Sequence, residues 1–388
     1  MGCCESGDIA PKAGAPVPQG ESGGEKRQAV CCGGSWTSES TTTAGELSKA
    51  SFPWIERILE MPSGTVPAVR TRLLRSDRLA TWRVRWNLGR TDYAVPPGLY
   101  AVGAPDDRAP VLVTANFKLT FDRVRTRLAG RSAWLLVLDT KGINVWCAAG
   151  KGTFGTDELI ARIGAARLAD VVAHRRLVLP QLAAPGVSAH LVTKATKFHV
   201  VWGPVRADDI PAFLDADLTA TPEMRRVRFP LKDRFVLTPV EFTQVAFHPI
   251  FLGVFGLWAL QILGLKAIPI DGPAFLVSIL LGTVAVPILL PWIPVRPFAL
   301  KGWIVGLAAT AAIVALRGVA LSSPVGLLRA ASYLLIYPAL TAFISMGFTG
   351  SSTYTSLSGV VKEMRYAVPS MIFSGVMGLA ALVARYFV

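Results

Sequence analysis

Cys147 has the most distinctive setting of any reactive side chain in this sequence: Lys141-Gly142-Ile143-Asn144-Val145-Trp146-Cys147-Ala148-Ala149-Gly150-Lys151. A thiolate is a soft ligand for a transition metal. Here it stands beside a large flat indole and two alanines, and small residues let a bulky planar group come close to the backbone. The alternative is that Cys147 is a small buried hydrophobe, as free cysteines commonly are. No second Cys or His lies within a few residues, so a zinc site is not expected. If Cys147 ligates a metal, that metal arrives inside a macrocycle that supplies its other ligands. Gly150-x-Gly152-x-x-Gly155 has the spacing of a dinucleotide fingerprint, but no strand immediately precedes it and no acidic residue follows at the right distance. No Ser/His/Asp or Cys/His arrangement stands out. His174, His190 and His199 are read as surface or hydrogen-bonded residues.

The elements around the motif follow from hydropathy and turn chemistry. Trp134-Leu135-Leu136-Val137-Leu138 reads as a buried strand feeding into it. Asp139 and Gly142 mark the turn, Asn144 caps a short helix, and Gly150 and Gly152 end it. Strands are expected at residues 111–114, 133–138, 177–179 and 198–202. Helices are expected at 121–128, from an N-cap at Thr156 through Ile160, Ile163, Leu168 and Val171, and at 208–214. Repeated βα units predict an α/β domain with an open, mainly parallel, Rossmann-like sheet. Ligands of such sheets bind outside the carboxyl ends of the strands, here residues 114–120, 139–151, 180–187 and 203–204. Residues 51–110 read as a lead-in packed on this domain, with Trp82-Arg83-Val84-Arg85-Trp86 as a half-exposed strand and Pro96-Pro97-Gly98 as a turn.

The chain has 388 residues, a net charge of +14 and 52% hydrophobic residues. Basic chains can bind nucleic acid, but a mean hydropathy of +0.44 favours a membrane protein, and no nucleic-acid partner is expected. Five cysteines, in the pairs Cys3-Cys4 and Cys31-Cys32 plus Cys147, are no secreted disulfide framework. Four regions are expected: a disordered tail at 1–50, the α/β domain at 51–216, a basic linker at 217–243 and a membrane domain at 244–388. The linker carries Arg225, Arg226, Arg228, Lys232 and Arg234, suited to anionic lipid headgroups. Five apolar segments follow, at about 245–265, 273–293, 299–316, 325–346 and 367–387, each near the length of a transmembrane helix. The expected location is the cytoplasmic membrane, multi-pass, with the α/β domain in the cytoplasm.

Asn144-Val145-Trp146-Cys147-Ala148-Ala149-Gly150-Lys151 resembles, at all eight positions, the signature of the HgcA family, the membrane-bound corrinoid proteins of microbial mercury methylation. The loops at residues 114–120 and 179–186, and Gly203-Pro204 with Asp209-Ile210-Pro211, are similar to those of the corrinoid domain in the large subunit of the corrinoid iron–sulfur protein. The likeness covers residues 110–388. It implies a cobalamin-type corrinoid over a cap helix, with Cys147 both the lower axial ligand of cobalt and the catalytic residue. The cofactor-binding set it implies is Thr114, Asn116, Phe117 and Thr120; Asn144, Val145, Trp146, Cys147, Ala148, Ala149, Gly150 and Lys151; and Gln181, Gly186 and Gly203. The Asp-x-His-x-x-Gly motif of other cobalamin proteins is absent from the sequence.

The activity implied by the resemblance is corrinoid-dependent methyl transfer, as a carbanion equivalent, from methyl-cobalt(III) to the substrate Hg(II), giving methylmercury. A thiolate donates more electron density than imidazole, which makes the methyl group trans to it more nucleophilic. The implied partners are HgcB, a ferredoxin with two 4Fe–4S clusters, and a methyltetrahydrofolate-linked corrinoid methyltransferase. The chain's own cysteine spacing fits no such cluster. The N-terminal cysteine pairs are either incidental or thiolate relays for Hg(II). Three other classes stay open: a corrinoid methyl carrier of the acetyl-CoA pathway, a membrane transporter with a soluble regulatory domain, and a structural anchor with an inert cysteine.

Overall fold

The structure, a computed structural model, describes residues 52–264, 271–351 and 357–388. Cys3, Cys4, Cys31 and Cys32 and the tail around them lie outside the described residues. The α/β part contains β1 (Ile55–Met61), β2 (Gly64–Val69), α1 (Arg75–Arg85), β3 (Gly98–Val102), β4 (Val111–Ala115), α2 (Lys118–Arg127), β5 (Ala133–Leu138), α3 (Val145–Lys151), α4 (Thr156–Ala165), α5 (Leu168–Val171), β6 (Arg176–Leu179), α6 (Ala189–Thr196), β7 (His199–Trp202) and α7 (Ile210–Asp215).

Seven strands form one sheet in the order β1-β2-β3-β5-β4-β6-β7. Strands β5, β4, β6 and β7 run parallel, which is the expected βα portion. The sheet as a whole is mixed, because β3 pairs antiparallel with β5 and the antiparallel hairpin β1–β2 extends that edge. Those three strands come from the stretch read as a lead-in. Pro67 sits inside β2, and a proline demotes a strand reading from sequence.

Residues 82–86 are not a strand. They are the end of α1, whose buried positions Asp77 and Val84 lie two turns apart while Trp82 is 57% exposed. The Leu74 N–H donates to Asp77 Oδ2 at 3.0 Å and starts the helix. Trp82, Arg83 and Trp86 lie on the outer surface at this end of the helix, with the Trp82 and Trp86 rings 6.2 Å apart, while Arg85 is half-buried. Thr156 is likewise not the N-cap of α4. Gly155 takes that position, and Thr156 Oγ1 instead accepts the Ser188 N–H at 2.9 Å. The expected helix through Val171 is broken at Arg167, which has φ +45°.

Both faces of the sheet are covered. On β5, Trp134, Leu136 and Leu138 join the core beneath α3, α4 and α6, while Leu135 and Val137 join the core beneath α2 and α7. This two-sided burial is why β5 reads as a continuous apolar run.

The helical part contains α8 (Leu231–Ala246), α9 (Pro249–Ile262), α10 (Gly272–Leu280), α11 (Val286–Leu289), α12 (Phe298–Leu316), α13 (Pro324–Gly347) and α14 (Leu357–Ala384). A π-turn joins α10 to α11. Among the described residues, four stretches are long and apolar enough to cross a membrane: Gly272–Leu289, Phe298–Leu316, Pro324–Gly347 and Gly359–Ala384. A fifth crossing exists only if α8 and α9, bent by 67°, count as one broken span. On that count the first expected span would start earlier than its hydropathy suggests. Helix α9 has 14 residues, about 21 Å at 1.5 Å per residue, short of a ~30 Å hydrocarbon core. Helix α8 begins within the stretch read as linker, and it packs along α10 and α11. Leu237 clusters with Val286 and Leu290, and Phe242 and Val245 cluster with Phe275 and Ile279.

Helices α12 and α13 approach closely at Gly302 and Gly306. A Cβ at Gly302 would lie 2.5 Å from Ser345 Oγ, and one at Gly306 would lie 2.9 Å from Pro338 Cα. Small residues four apart allow this backbone contact. Lys301 Nζ donates to the Leu290 and Ile293 carbonyls at 2.6 and 2.7 Å, which satisfies acceptors left over beyond α11.

Candidate functional site

The cysteine motif is held by the turn after β5. Asn116, just beyond β4, is buried and accepts at Oδ1 the N–H groups of Thr140 and Gly142 at 3.1 and 3.0 Å. Its Nδ2 donates to Asp139 Oδ1 at 3.3 Å. Gly142 has φ +67°, and a Cβ there would lie 3.2 Å from the Thr91 carbonyl. The chain then enters α3, where Asn144 Oδ1 accepts the Cys147 N–H at 3.0 Å as the N-cap. Gly152, with φ +79°, closes the helix. Ala148 and Ala149 are buried on the sheet side. A Cβ on Gly186 would lie 2.3 Å from the Phe154 carbonyl and 3.0 Å from Ala149 Cα, so the loop after β6 rests directly on α3.

Cys147 lines a cavity of about 530 Å³, within the usual range for ligand sites. The cavity is also lined by residues of β4 and β6. These strands are neighbours, although the chain leaves β4 for β5 before returning to β6. This is the switch point where open α/β sheets bind ligands. Of the residues expected to bind a cofactor, Thr114, Thr120, Asn144, Val145, Trp146, Cys147 and Gly203 line the cavity.

The others lie outside the lining. Asn116 pins the turn, Ala148 and Ala149 pack α3 on the sheet, and Gly186 lets its loop approach. Phe117 is buried at the start of α2, with the Arg90 guanidinium 5.3 Å from its ring centre. Gln181 Oε1 accepts from Arg225 at 2.7 Å. Gly150 and Lys151 are exposed on α3.

The thiol is half-buried and Trp146 is 40% exposed. Thr114 Oγ1 is buried and has no hydrogen-bond partner among the described residues. Nowhere among those residues do three His, Cys, Asp or Glu side chains gather to hold a metal, and no histidine lines the cavity.

Sequence reading missed one wall of this cavity. Leu237, Val240, Glu241 and Gln244 of α8 line it, at the i, i+3, i+4, i+7 spacing of one helical face. That stripe was present in the sequence, hidden by the proline and the charges around it. Arg85, Arg90 and Arg123 also line the cavity.

A buried ionic network fixes α1 and α2 beside the cavity. Lys118 Nζ donates to Asp77 at 3.0 Å and to Asp122 at 2.8 Å, and Arg125 donates to Asp122 at 2.7 Å and to Asp77 at 2.9 Å. Arg125 also reaches the carbonyls of Arg70 and Arg72. Burial works to raise the Asp77 pKa, but the Leu74 N–H, Lys118 and Arg125 outweigh it and hold the carboxyl below its ordinary value. At Asp139 burial is likewise outweighed, chiefly by the Lys141 ammonium and N–H, and its pKa is lowered. Burial, aided by the Asp122 and Asp77 carboxylates, pushes Tyr93 up to about 12.

The architecture is thus a mixed α/β domain with a thiol-bearing cavity at its switch point, joined to apolar helices long enough to cross a membrane. Residues 83–214 match the family model described as the CO dehydrogenase/acetyl-CoA synthase delta subunit. The chain is similar to the acetyl-CoA decarbonylase/synthase complex subunit gamma of Methanopyrus kandleri, with 38% identity over 130 residues, 33% of this chain and 28% of the relative. It is also similar to the corrinoid/iron-sulfur protein large subunit of Moorella thermoacetica, with 32% identity over 186 residues, 45% of this chain and 40% of the relative. The chain spans less than a third of the first relative's length and 40% of the second's. The likeness of the α/β domain to the large subunit of the corrinoid iron–sulfur protein, read above from its loops, is borne out.

Proposed function

We propose that this chain is a membrane-held corrinoid protein that transfers a methyl group to Hg(II), with Cys147 as the lower ligand of cobalt. One observation carries this reading: a capped helix places Cys147 in the switch-point cavity of a domain similar to corrinoid-protein subunits. The residues present suit a flat metal macrocycle. A half-buried thiol, an exposed indole beside it and an unpartnered buried hydroxyl at Thr114 line one cavity. The thiol would be the sole protein ligand there, so the remaining ligands would come with the group.

When bound, the corrinoid would supply a cobalt-carried methyl group that can leave as a carbanion equivalent. The chain's residues do the rest. With the corrinoid bound, Cys147 would hold the cobalt through its sulfur and, as thiolate, would donate charge to the metal. Asn144 fixes the Cys147 backbone, and Asn116 fixes the turn that carries α3, so the sulfur is held in place. Thr114 and Thr120, which line the cavity, would offer it their hydroxyls. The α8 stripe covers one wall and excludes water from it. The proposed partners are an HgcB-type ferredoxin, which returns electrons, and a methyltetrahydrofolate-linked corrinoid methyltransferase, which renews the methyl group. The proposed setting is the cytoplasmic membrane, with the α/β domain in the cytoplasm.

The names of the relatives favour a second reading, a corrinoid methyl carrier of the acetyl-CoA pathway type. The motif around Cys147 and the membrane helices favour the mercury reading. Methylmercury assays separate the two in a strain that carries the ferredoxin partner. The wild-type chain should form methylmercury, and Cys147→Ala at equal protein level should form almost none. Near-normal methylmercury formation by Cys147→Ala refutes the proposal. Its absence in both, with methyl delivery to an acetyl-CoA synthase instead, selects the second reading.

A further inference from the structure

The cavity has a second property that the cysteine does not use. Its charged lining residues are three guanidiniums, Arg85, Arg90 and Arg123, against one carboxylate, Glu241. The arginines come from three places: the last turn of α1, the loop after it, and the middle of α2. Arg85 and Arg123 have no ion-pair partner among the described residues. The nearby carboxylate of Asp233 already accepts from Arg206 at 2.8 Å. Arg90 is placed over the Phe117 ring. Burial first, then the repulsion of Arg123 and Arg90, lowers the Arg85 pKa, with Asp233 acting against this. Three guanidiniums lining one cavity, with Arg85 and Arg123 in no ion pair among the described residues, are set up to receive an anion. Guanidinium forks match the oxygens of a phosphate better than any other side chain.

We infer that this arginine wall is a phosphate subsite, and that the phosphate it holds is the phosphodiester in the nucleotide arm of the bound corrinoid. The inference rests on the proposed function. In a free complete corrinoid the base at the end of that arm occupies the lower face of cobalt. A protein thiolate in that position displaces the base and leaves the arm to be held elsewhere. The phosphodiester is the anionic point of that arm, and the arginines line the same cavity as the thiol that displaces it.

Purified full-length protein titrated with cobalamin, which has the arm, and with cobinamide, which lacks it, tests this by visible absorption. Wild-type protein should bind cobalamin roughly tenfold or more tightly, the scale of a charge-assisted contact. Arg85→Gln with Arg123→Gln should erase that preference and leave cobinamide affinity unchanged, which also shows that the variant is folded. The Lys pair at the same positions should restore part of it. Millimolar inorganic phosphate should weaken cobalamin binding to the wild type and spare cobinamide. Equal affinity for both corrinoids in the wild type overturns the inference, and if inorganic phosphate still binds there, the wall serves a free anion. Equal weakening of both corrinoids by the Gln pair also overturns it, since the arginines would then be structural. Failure of both corrinoids to bind the wild type overturns the proposed function itself.

Discussion

The role proposed for Cys147 comes from its surroundings. Its sulfur is small and flanked by alanine, so Cys147→Ala should cost only about 1 kcal/mol of stability, within the ordinary range for a point change. Loss of activity with a normal melting profile would therefore mark chemistry rather than packing. The residues that hold Cys147 should behave in the opposite way. Gly186→Ala would put a methyl 2.3 Å from the Phe154 carbonyl, and such overpacking costs about 1–3 kcal/mol. Denaturant unfolding of the variant should show that loss, and an unchanged midpoint would contradict the claim that this loop rests on α3. The cap at Asn144 and the closing Gly152 were legible in the sequence, because both roles are local. Asn116 and Gly186 were assigned to the cofactor from the loops they occupy, and the structure places them behind the site. Spacing along a chain identifies the loops at a ligand-binding edge, but it does not separate the residues that touch a ligand from those that support them.

At the scale of elements, the ionic network between α1 and α2 has a definite pH signature. Asp77 is held below its ordinary pKa in the folded protein. Its stabilising contribution is therefore fully present above the unfolded value of about 3.9 and is lost as pH falls through the lower folded value. Asp77→Asn should remove that dependence and destabilise the protein at neutral pH, because Lys118 and Arg125 lose a buried counter-charge. Unfolding curves from pH 7 down to about pH 2 check both points, and a variant as stable as wild type at pH 7 would contradict them. The central strands β4, β5 and β6 were legible because two-sided burial writes continuous apolar runs, and the edge strand β7 because of its β-branched and aromatic residues. The hairpin β1–β2 was not, since Pro67 and the charged outer face of β1 carry no such pattern. Helix α1 was misread because five residues fit an alternation that eleven do not. Helix α8 should matter to the cavity rather than only to the membrane. Val240→Asp, on the cavity-facing stripe, should lower corrinoid retention severalfold during gel filtration, and full retention would remove α8 from the site.

At the scale of the whole molecule, four helices and one bent pair among the described residues frame the alternatives for topology. With α8 and α9 as one broken span, five crossings put the C-terminus on the side opposite the α/β domain. A C-terminal alkaline phosphatase fusion should then be active, and an inactive fusion with a fluorescent cytoplasmic reporter at the same point would contradict the count or the orientation. Deleting residues 2–50 should leave a folded, corrinoid-binding protein. The central claim is that the Cys147 sulfur is bonded to cobalt, and X-ray absorption at the cobalt edge of the purified, corrinoid-loaded protein tests it most directly. The wild type should show one sulfur scatterer in the first shell, and Cys147→Ala should lose it while keeping the corrinoid bound. A wild-type cobalt with only nitrogen and oxygen neighbours would contradict the account.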